Sequence, residues 1–201
     1  IPTVVDDTRY KLKKNFLHKP PIIGWIGSRS TQKYLLSIHE ALMNVCKLYG
    51  ARLLLVGATP EIAVKFSGLN FDIIPWSEEE ESRLIRSMDI GIMPLSNGPW
   101  EKGKCGYKLI QYMASGIPTI ASSVGANIDI IRNSNCGFLA DNNDEWKNAL
   151  VKLLSNREKC IKLGYAGRLA VEEIYSSKIQ APKIKKIFFE TINLKKLKIK
   201  N

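Results

Sequence analysis

At 201 residues with 45% apolar side chains, the chain has the material for one domain with a substantial core, and no apolar run approaches the ~18 residues that span a bilayer. Its four cysteines, Cys46, Cys105, Cys136 and Cys160, have neither CxxC spacing nor histidine-rich company, which argues against a zinc site and for free thiols in a reducing cytoplasm. Thirty Lys and Arg against nineteen Asp and Glu give a net charge of +11, of which +7 lies in residues 178–201, with eight lysines and one glutamate; such a balance calls for anionic partners, whether phosphates, nucleic acid or anionic lipid.

Residues 1–20, bracketed by Pro2 and Pro20, read as an extended, basic leading segment. No signal-peptide pattern opens the sequence, and its start at Ile1 rather than Met is what a piece of a longer protein would show. IIGWIG (22–27) has strand length and is followed by SRST and a helical pattern on Leu35, Leu36, Ile38, Leu42 and Val45. RLLLVG (52–57) is continuously apolar, like a strand covered on both faces. A short helical piece follows Pro60, and FDIIPW makes a third strand ending at Ser77. Ser77 and Glu80 have capping-box spacing, and the acidic run 78–81 suits the positive end of a helix dipole. DIGIMPL (89–95), PTIAS (118–122) and GFLA (137–140) are three further strands, each leading into a helical pattern. Helical stretches at 143–155 and 156–175 close the domain, and the tail sets Ile184, Ile187, Phe188, Ile192 and Leu197 near helical spacing among lysines. Strand and helix alternating at this rhythm predict an α/β fold with a Rossmann-like, doubly wound, mostly parallel sheet and helices on both faces.

In open parallel sheets, ligands gather beyond the carboxyl ends of the strands, which singles out the loop 96–107 and the stretch KGKCGYKLIQYMASGIP (102–118). Gly103 and Gly106 permit close backbone approach and positive φ. Lys104, Lys108 and Gln111, at i, i+4 and i+7, would share one helix face, with Leu109, Ile110, Met113 and Ala114 toward the sheet. A cationic face above a glycine loop at a helix start is what a diphosphate requires. A solvated lysine face after a flexible loop fits the same residues. The loop GSRST (27–31) adds Gly27, Ser28, Arg29 and Thr31 beside the next helix, with Ser30 or Thr31 as its cap. Neither GxGxxG nor GxxxxGK[ST] occurs there, which counts against a nicotinamide or flavin site and against a P-loop.

Taken in order, GWIGSRSTQKYL, LLLVG, SMDIGIMPL, KCGYKLIQYMASGIPTIASSVG and NCGFLADNNDEWKNAL resemble the C-terminal domain of group 1 glycosyltransferases of the GT-B type, from about Pro21 to Tyr175. IPTVVD resembles the linker arriving from such an enzyme's N-terminal domain. The resemblance implies a linker at 1–20, a donor-binding domain at 21–176 and a basic tail at 177–201, with the acceptor-binding N-terminal domain absent. It implies one half of a GT-B fold that binds a nucleotide-diphosphate sugar and transfers the sugar, usually with retention, to a glycan or lipid-linked acceptor. Lys104, Lys108 and Arg29 would then stabilise the leaving diphosphate. Gly27, Ser28, Cys105, Gly106, Tyr107 and Gln111 would contact the nucleotide sugar. Trp76 would lie near the nucleobase, or else serve as a core or cap residue. The resemblance calls for no metal and no cofactor besides this substrate.

The sequence also departs from the family pattern. Of the two glutamates spaced eight positions apart in the family, the second falls on Gln111 and the first on Gly103, with Glu101 as a nearby candidate. Ser28 stands where an arginine is common, leaving Arg29 and Lys33 as substitutes. A GT-B-type nucleotide-sugar epimerase is the alternative enzyme, but it needs acid–base groups in the cleft, where His18 and His39 are the only histidines to draw on. A nucleic-acid-binding module is the third reading. The tail's lysines lack the arginine and aromatic interleaving of a base-reading surface, so no nucleic acid is expected. The expected location is cytoplasmic, with the tail on an anionic membrane face or packed against the absent domain.

Overall fold

The computed structural model describes the backbone of residues 1–199 and the side chains of residues 1–193; the tail position Leu197 lies outside the described side chains. In chain order the elements are β1 (Ile22–Ile26), α1 (His39–Tyr49), β2 (Arg52–Val56), β3 (Phe71–Ile74), α2 (Glu78–Ser87), β4 (Ile90–Met93), α3 (Pro99–Lys102), α4 (Tyr107–Ala114), β5 (Thr119–Ala121), α5 (Ala126–Ser134), β6 (Gly137–Leu139), α6 (Asn143–Leu154), α7 (Arg157–Ala170) and α8 (Ser177–Ile199). Short 3₁₀ stretches cover Gln32–Ile38 and Pro60–Phe66, so the helical signals there are real but tighter than α. The long pattern at 156–175 is α7 followed by a π-helical turn at Val171–Tyr175.

The six strands form one sheet in the order β3-β2-β1-β4-β5-β6, and every pairing is parallel. Alternate strand residues feed opposite helical layers. Ile22, Ile26, Leu54 and Val56 join Leu84 and Ile85 of α2, Leu109 and Met113 of α4, and Ile130 of α5 in one core. Ile23, Trp25, Leu53 and Leu55 join Leu42 and Val45 of α1 and Trp146 and Leu150 of α6 in the other. Both sheet faces are thus covered, which is why the inner strands read as unbroken apolar runs.

The strand order reverses between β1 and β4, where open sheets of this type form a crevice. Those two strands pair only at Ile23↔Ile90 and Gly24↔Gly91. Further up, Ile26 donates its N–H to the Tyr112 hydroxyl at 3.0 Å, and that hydroxyl donates to the Ile92 carbonyl at 3.2 Å. A buried phenol therefore replaces the ladder and holds the strands apart at their carboxyl ends. The crevice is built into the sheet.

Residues 1–20 are docked on the domain. Val5 bridges to Ser176, and Tyr10, Lys13 and Phe16 are buried. Asp89, fully buried at the foot of β4, accepts from the backbone N–H groups of Leu17 (2.8 Å), His18 (3.1 Å) and Ile22 (2.9 Å). Lys13 Nζ lies 3.2 Å from the same carboxylate. Among the described residues, no helix is long and apolar enough to cross a membrane.

Candidate functional site

A hollow of about 290 Å³ opens at the carboxyl end of β1 and is lined by Ile26, Gly27, Ser28, Trp76, Glu81, Tyr107, Lys108 and Gln111. That volume is near the lower end of the ~300–1,000 Å³ of small-molecule sites. Six of the ten residues singled out from the sequence line it.

The helix α4 starts later than its lysine spacing implies. Its first residue is Tyr107, with Gly106 before it at φ +71°, so Lys104 lies in the preceding loop and cannot share a helix face with Lys108 and Gln111. Gly103 has an ordinary φ of −80°, so positive φ is a property of Gly106 alone in this loop. There a Cβ would also run into the Ile130 side chain. At the other end Gly116, at φ +70°, donates to the Met113 carbonyl at 2.9 Å and Ile117 donates to that of Tyr112 at 2.9 Å. That pair of bonds closes the helix as a Schellman motif.

The start of α4 is rich in unused donors. Among the described residues, no hydrogen bond engages the backbone N–H groups of Cys105, Gly106, Tyr107 and Lys108. Helix starts leave such groups free for an anion. Lys108 stands in the same place, its ammonium 4.7 Å from the Trp25 ring centroid. Burial, with a smaller contribution from the charge of Lys104, pushes the Lys108 ammonium down to about 8. No carboxylate pairs with it among the described residues, so the site holds a desolvated positive charge without a counter-ion. Lys104 sits beside it, 5.9 Å from the ring centroids of both Tyr34 and Trp100. Cys105 is an exposed free thiol.

A hydrogen-bonded chain fixes the opposite wall. Trp76 is half-exposed, and its indole N–H donates to Glu81 Oε2 at 2.7 Å. Tyr10 donates its hydroxyl proton to Glu81 Oε1 at 2.6 Å, and Gln111 Nε2 donates to the Tyr10 hydroxyl at 3.2 Å. Burial, together with the Glu81 bond, raises the Tyr10 phenol well above its usual range. Tyr10 and Glu81 thus join the candidate site, a placement that the motifs alone do not give. Glu81 had a signal, because it falls at i, i+3 and i+4 with Leu84 and Ile85 on the buried face of α2. A carboxylate at an apolar position of a helix needs a partner.

The loop after β1 turns part of its polarity inward. Gly27 donates its N–H to the Val56 carbonyl at 2.9 Å, and Ser28 donates its N–H to Thr31 Oγ1 at 3.0 Å. Thr31 makes no side-chain cap on the following helix. Arg29 lies outside the Lys108 hollow: its side chain is 77% exposed and 3.6 Å from Glu61. Glu101 is turned away as well, since its buried carboxylate accepts a hydrogen bond from the Tyr34 hydroxyl. That bond holds Glu101 below the usual carboxylate range. Burial first, and Glu101 second, push Tyr34 up to about 12. Lys33 lies over the other side of that phenol, 5.3 Å from the ring centroid. His18 and His39 are both elsewhere: His18 Nδ1 is 3.0 Å from Asp89 Oδ2 and His39 Nε2 is 2.6 Å from the Lys65 carbonyl.

The family model described as "Glycosyl transferases group 1" matches residues 20–156. The chain belongs to the group 1 glycosyl transferases. Among solved structures of GT-B glycosyltransferases, that of the C-terminal domain of a group 1 glycosyl transferase, LpcC, from Francisella tularensis is 25% identical. It covers 86% of this chain and 99% of that one at a TM-score of 0.68. Anabaena HepE in complex with UDP superimposes with a TM-score of 0.76 at 15% identity, over 93% of this chain and 56% of that one. N-acetyl-alpha-D-glucosaminyl L-malate synthase of Bacillus anthracis is 23% identical over 194 residues, which are 93% of this chain and 50% of that enzyme. The chain therefore spans about half the length of the curated relative it matches, and nearly all of an isolated C-terminal domain of a group 1 transferase.

Proposed function

We propose that the chain is the donor-binding domain of a glycosyltransferase and holds a nucleotide-diphosphate sugar in the crevice between β1 and β4. The observation that carries this reading is the unpaired ammonium of Lys108 beside the four unused N–H groups that open α4. A diphosphate would satisfy both at once. UDP in the HepE complexes and in that of Staphylococcus aureus TarM supports a uridine nucleotide as the first candidate.

In this reading each group has a distinct task. Negative charge builds on the diphosphate as the sugar–oxygen bond breaks, and Lys108, Lys104 and the α4 start are aimed at that charge before it forms. The Trp76 ring, locked by Glu81, and the backbone at Gly27 and Ser28 hold the nucleoside. The Gln111 amide, fixed by Tyr10, reaches ribose hydroxyls. Cys105, Gly106 and Tyr107 approach through their backbone. Arg29 joins the phosphates only by leaving Glu61, and such an exposed pair holds it by no more than ~1 kcal/mol. The sugar passes, with retention, to a glycan or lipid-linked acceptor presented by a facing domain. Residues 1–201 alone then bind donor without transferring it at a useful rate, because acceptor alignment and water exclusion need the closed cleft.

Calorimetric titration of the chain with UDP, GDP, ADP and their common sugar conjugates tests this reading. Saturable binding of one nucleoside diphosphate, abolished or strongly weakened by Lys108→Ala, is the expected result. Failure of every nucleotide to bind would remove the donor-domain reading.

A further inference from the structure

A second, larger hollow of about 830 Å³ lies between the leading segment, α2 and α7, and shares no lining residue with the Lys108 hollow. Lys11, Lys14, His18, Arg83 and Arg86 line it, and among the described residues no carboxylate side chain does. Part of this positive charge has a structural use. Lys13, also at the wall, is committed to Asp89 and to the carbonyls of Arg86 and Ser87. Arg168 donates from Nη1 to the carbonyls of Tyr10 at 2.9 Å and Ala114 at 2.6 Å, and from Nε to Glu172 at 2.6 Å. Arg83 pairs with Glu80.

Lys11, Lys14 and Arg86 remain, with no carboxylate partner among the described residues. Folding gains nothing from gathering them, because like charges around one concavity repel. A concave wall of one sign also focuses its field on a mobile ion of the opposite sign. Guanidinium and ammonium donors on converging walls suit the several oxygens of a phosphate better than a single carboxylate.

We propose that this hollow is a second anion site, which binds a phosphate-bearing ligand through Lys11, Lys14 and Arg86. The ligand is either a free polyphosphorylated molecule or the phosphate headgroup of a lipid. Its binding residues are distinct from those of the donor hollow, and the two hollows meet at Tyr10, which lines this one and bonds Glu81 and Gln111 of the other.

The test starts from the full chain carrying Lys108→Ala, so that the donor hollow does not contribute. Tripolyphosphate is titrated at low ionic strength by calorimetry, and vesicles of 70:30 phosphatidylcholine and phosphatidylglycerol are co-sedimented. Adding Lys14→Glu and Arg86→Glu should weaken one of the two interactions at least tenfold, and the arm that responds names the source of the phosphate. The pair Lys47→Glu and Lys147→Glu, exposed on α1 and α6, makes the same charge change on other elements and should cost less than threefold. Should charge reversal prevent folding, Lys14→Ala with Arg86→Ala asks the same question, with at least a threefold loss expected. An unchanged response in both arms, or an equal loss from the control pair, would overturn the proposal.

Discussion

Replacing Lys108 by methionine should make the protein more stable and a poorer nucleotide binder at the same time. Methionine is apolar and of similar length, so it occupies the place over the Trp25 ring where the ammonium now lies 4.7 Å from the centroid, and it brings no charge there. Depression from the usual 10.5 to about 8, at about 1.4 kcal/mol per pKa unit, puts the penalty of holding the charge in the fold near 3 kcal/mol. Screening of this half-buried group reduces that to ~1–3 kcal/mol. At pH 7 the Met variant should therefore gain ~1–3 kcal/mol, or roughly 2–10 °C in Tm for a domain of this size. The gain has a defined pH window. Below about 8 the lysine is charged in both folded and unfolded chains and the whole penalty acts. Between about 8 and 10.5 the folded chain loses its proton first, so the parent protein gains stability as pH rises and the two proteins converge. A bound diphosphate reverses the sign by supplying the missing counter-ion, and a charge-assisted hydrogen bond contributes ~1.5–3 kcal/mol. UDP affinity should then fall roughly 10- to 150-fold in the variant. Thermal melts between pH 7 and 10, paired with calorimetry, read both effects. A Met variant that melts lower than the parent at pH 7 and binds UDP equally well would refute the reasoning.

Three further outcomes follow from the geometry. Glu81→Ala leaves the Trp76 N–H and the Tyr10 hydroxyl without an acceptor and should cost ~1–3 kcal/mol in urea unfolding. The same variant should weaken uridine-nucleotide binding several-fold and leave inorganic diphosphate binding within twofold. Asp89→Ala strips three backbone N–H groups and the Lys13 ammonium of their shared acceptor, so unfolding free energy should drop by ~3–5 kcal/mol. Gly106→Ala places a Cβ at φ +71° against Ile130 and should both lower Tm, through a backbone cost of ~1–3 kcal/mol, and reduce UDP affinity at least tenfold; equal binding in calorimetry would show that the α4 start is not the cradle.

The sheet was legible because its inner strands are covered on both faces and so carry apolar runs such as IIGWI and LLLV, while the edge strand FDII, half-buried and broken by Asp72, was legible from its apolar residues and flanking turns. The Ser77 cap was legible for a local reason: its side chain does accept from the Glu80 N–H. Lysine spacing misled at Lys104, because a seven-residue periodicity cannot reveal that the helix begins at Tyr107. The phosphate role of Arg29 came from the family resemblance, and sequence alone could not show that its side chain pairs with Glu61, 32 positions away. Tyr10 and Glu81 could not be paired from sequence, since 71 positions separate them. Their contact exists only because the leading segment folds back onto α2.

The most direct test of a diphosphate cradle at the start of α4 is residue-resolved. Amide chemical shifts of the ¹⁵N-labelled chain, followed as UDP is added, report each backbone N–H separately. The account predicts the largest changes at Cys105, Gly106, Tyr107 and Lys108, a downfield move at two or more of them as hydrogen bonds form, and a shift of the Trp76 indole. Saturating UDP that leaves those four amides unmoved, or that perturbs only a distant surface, would contradict it.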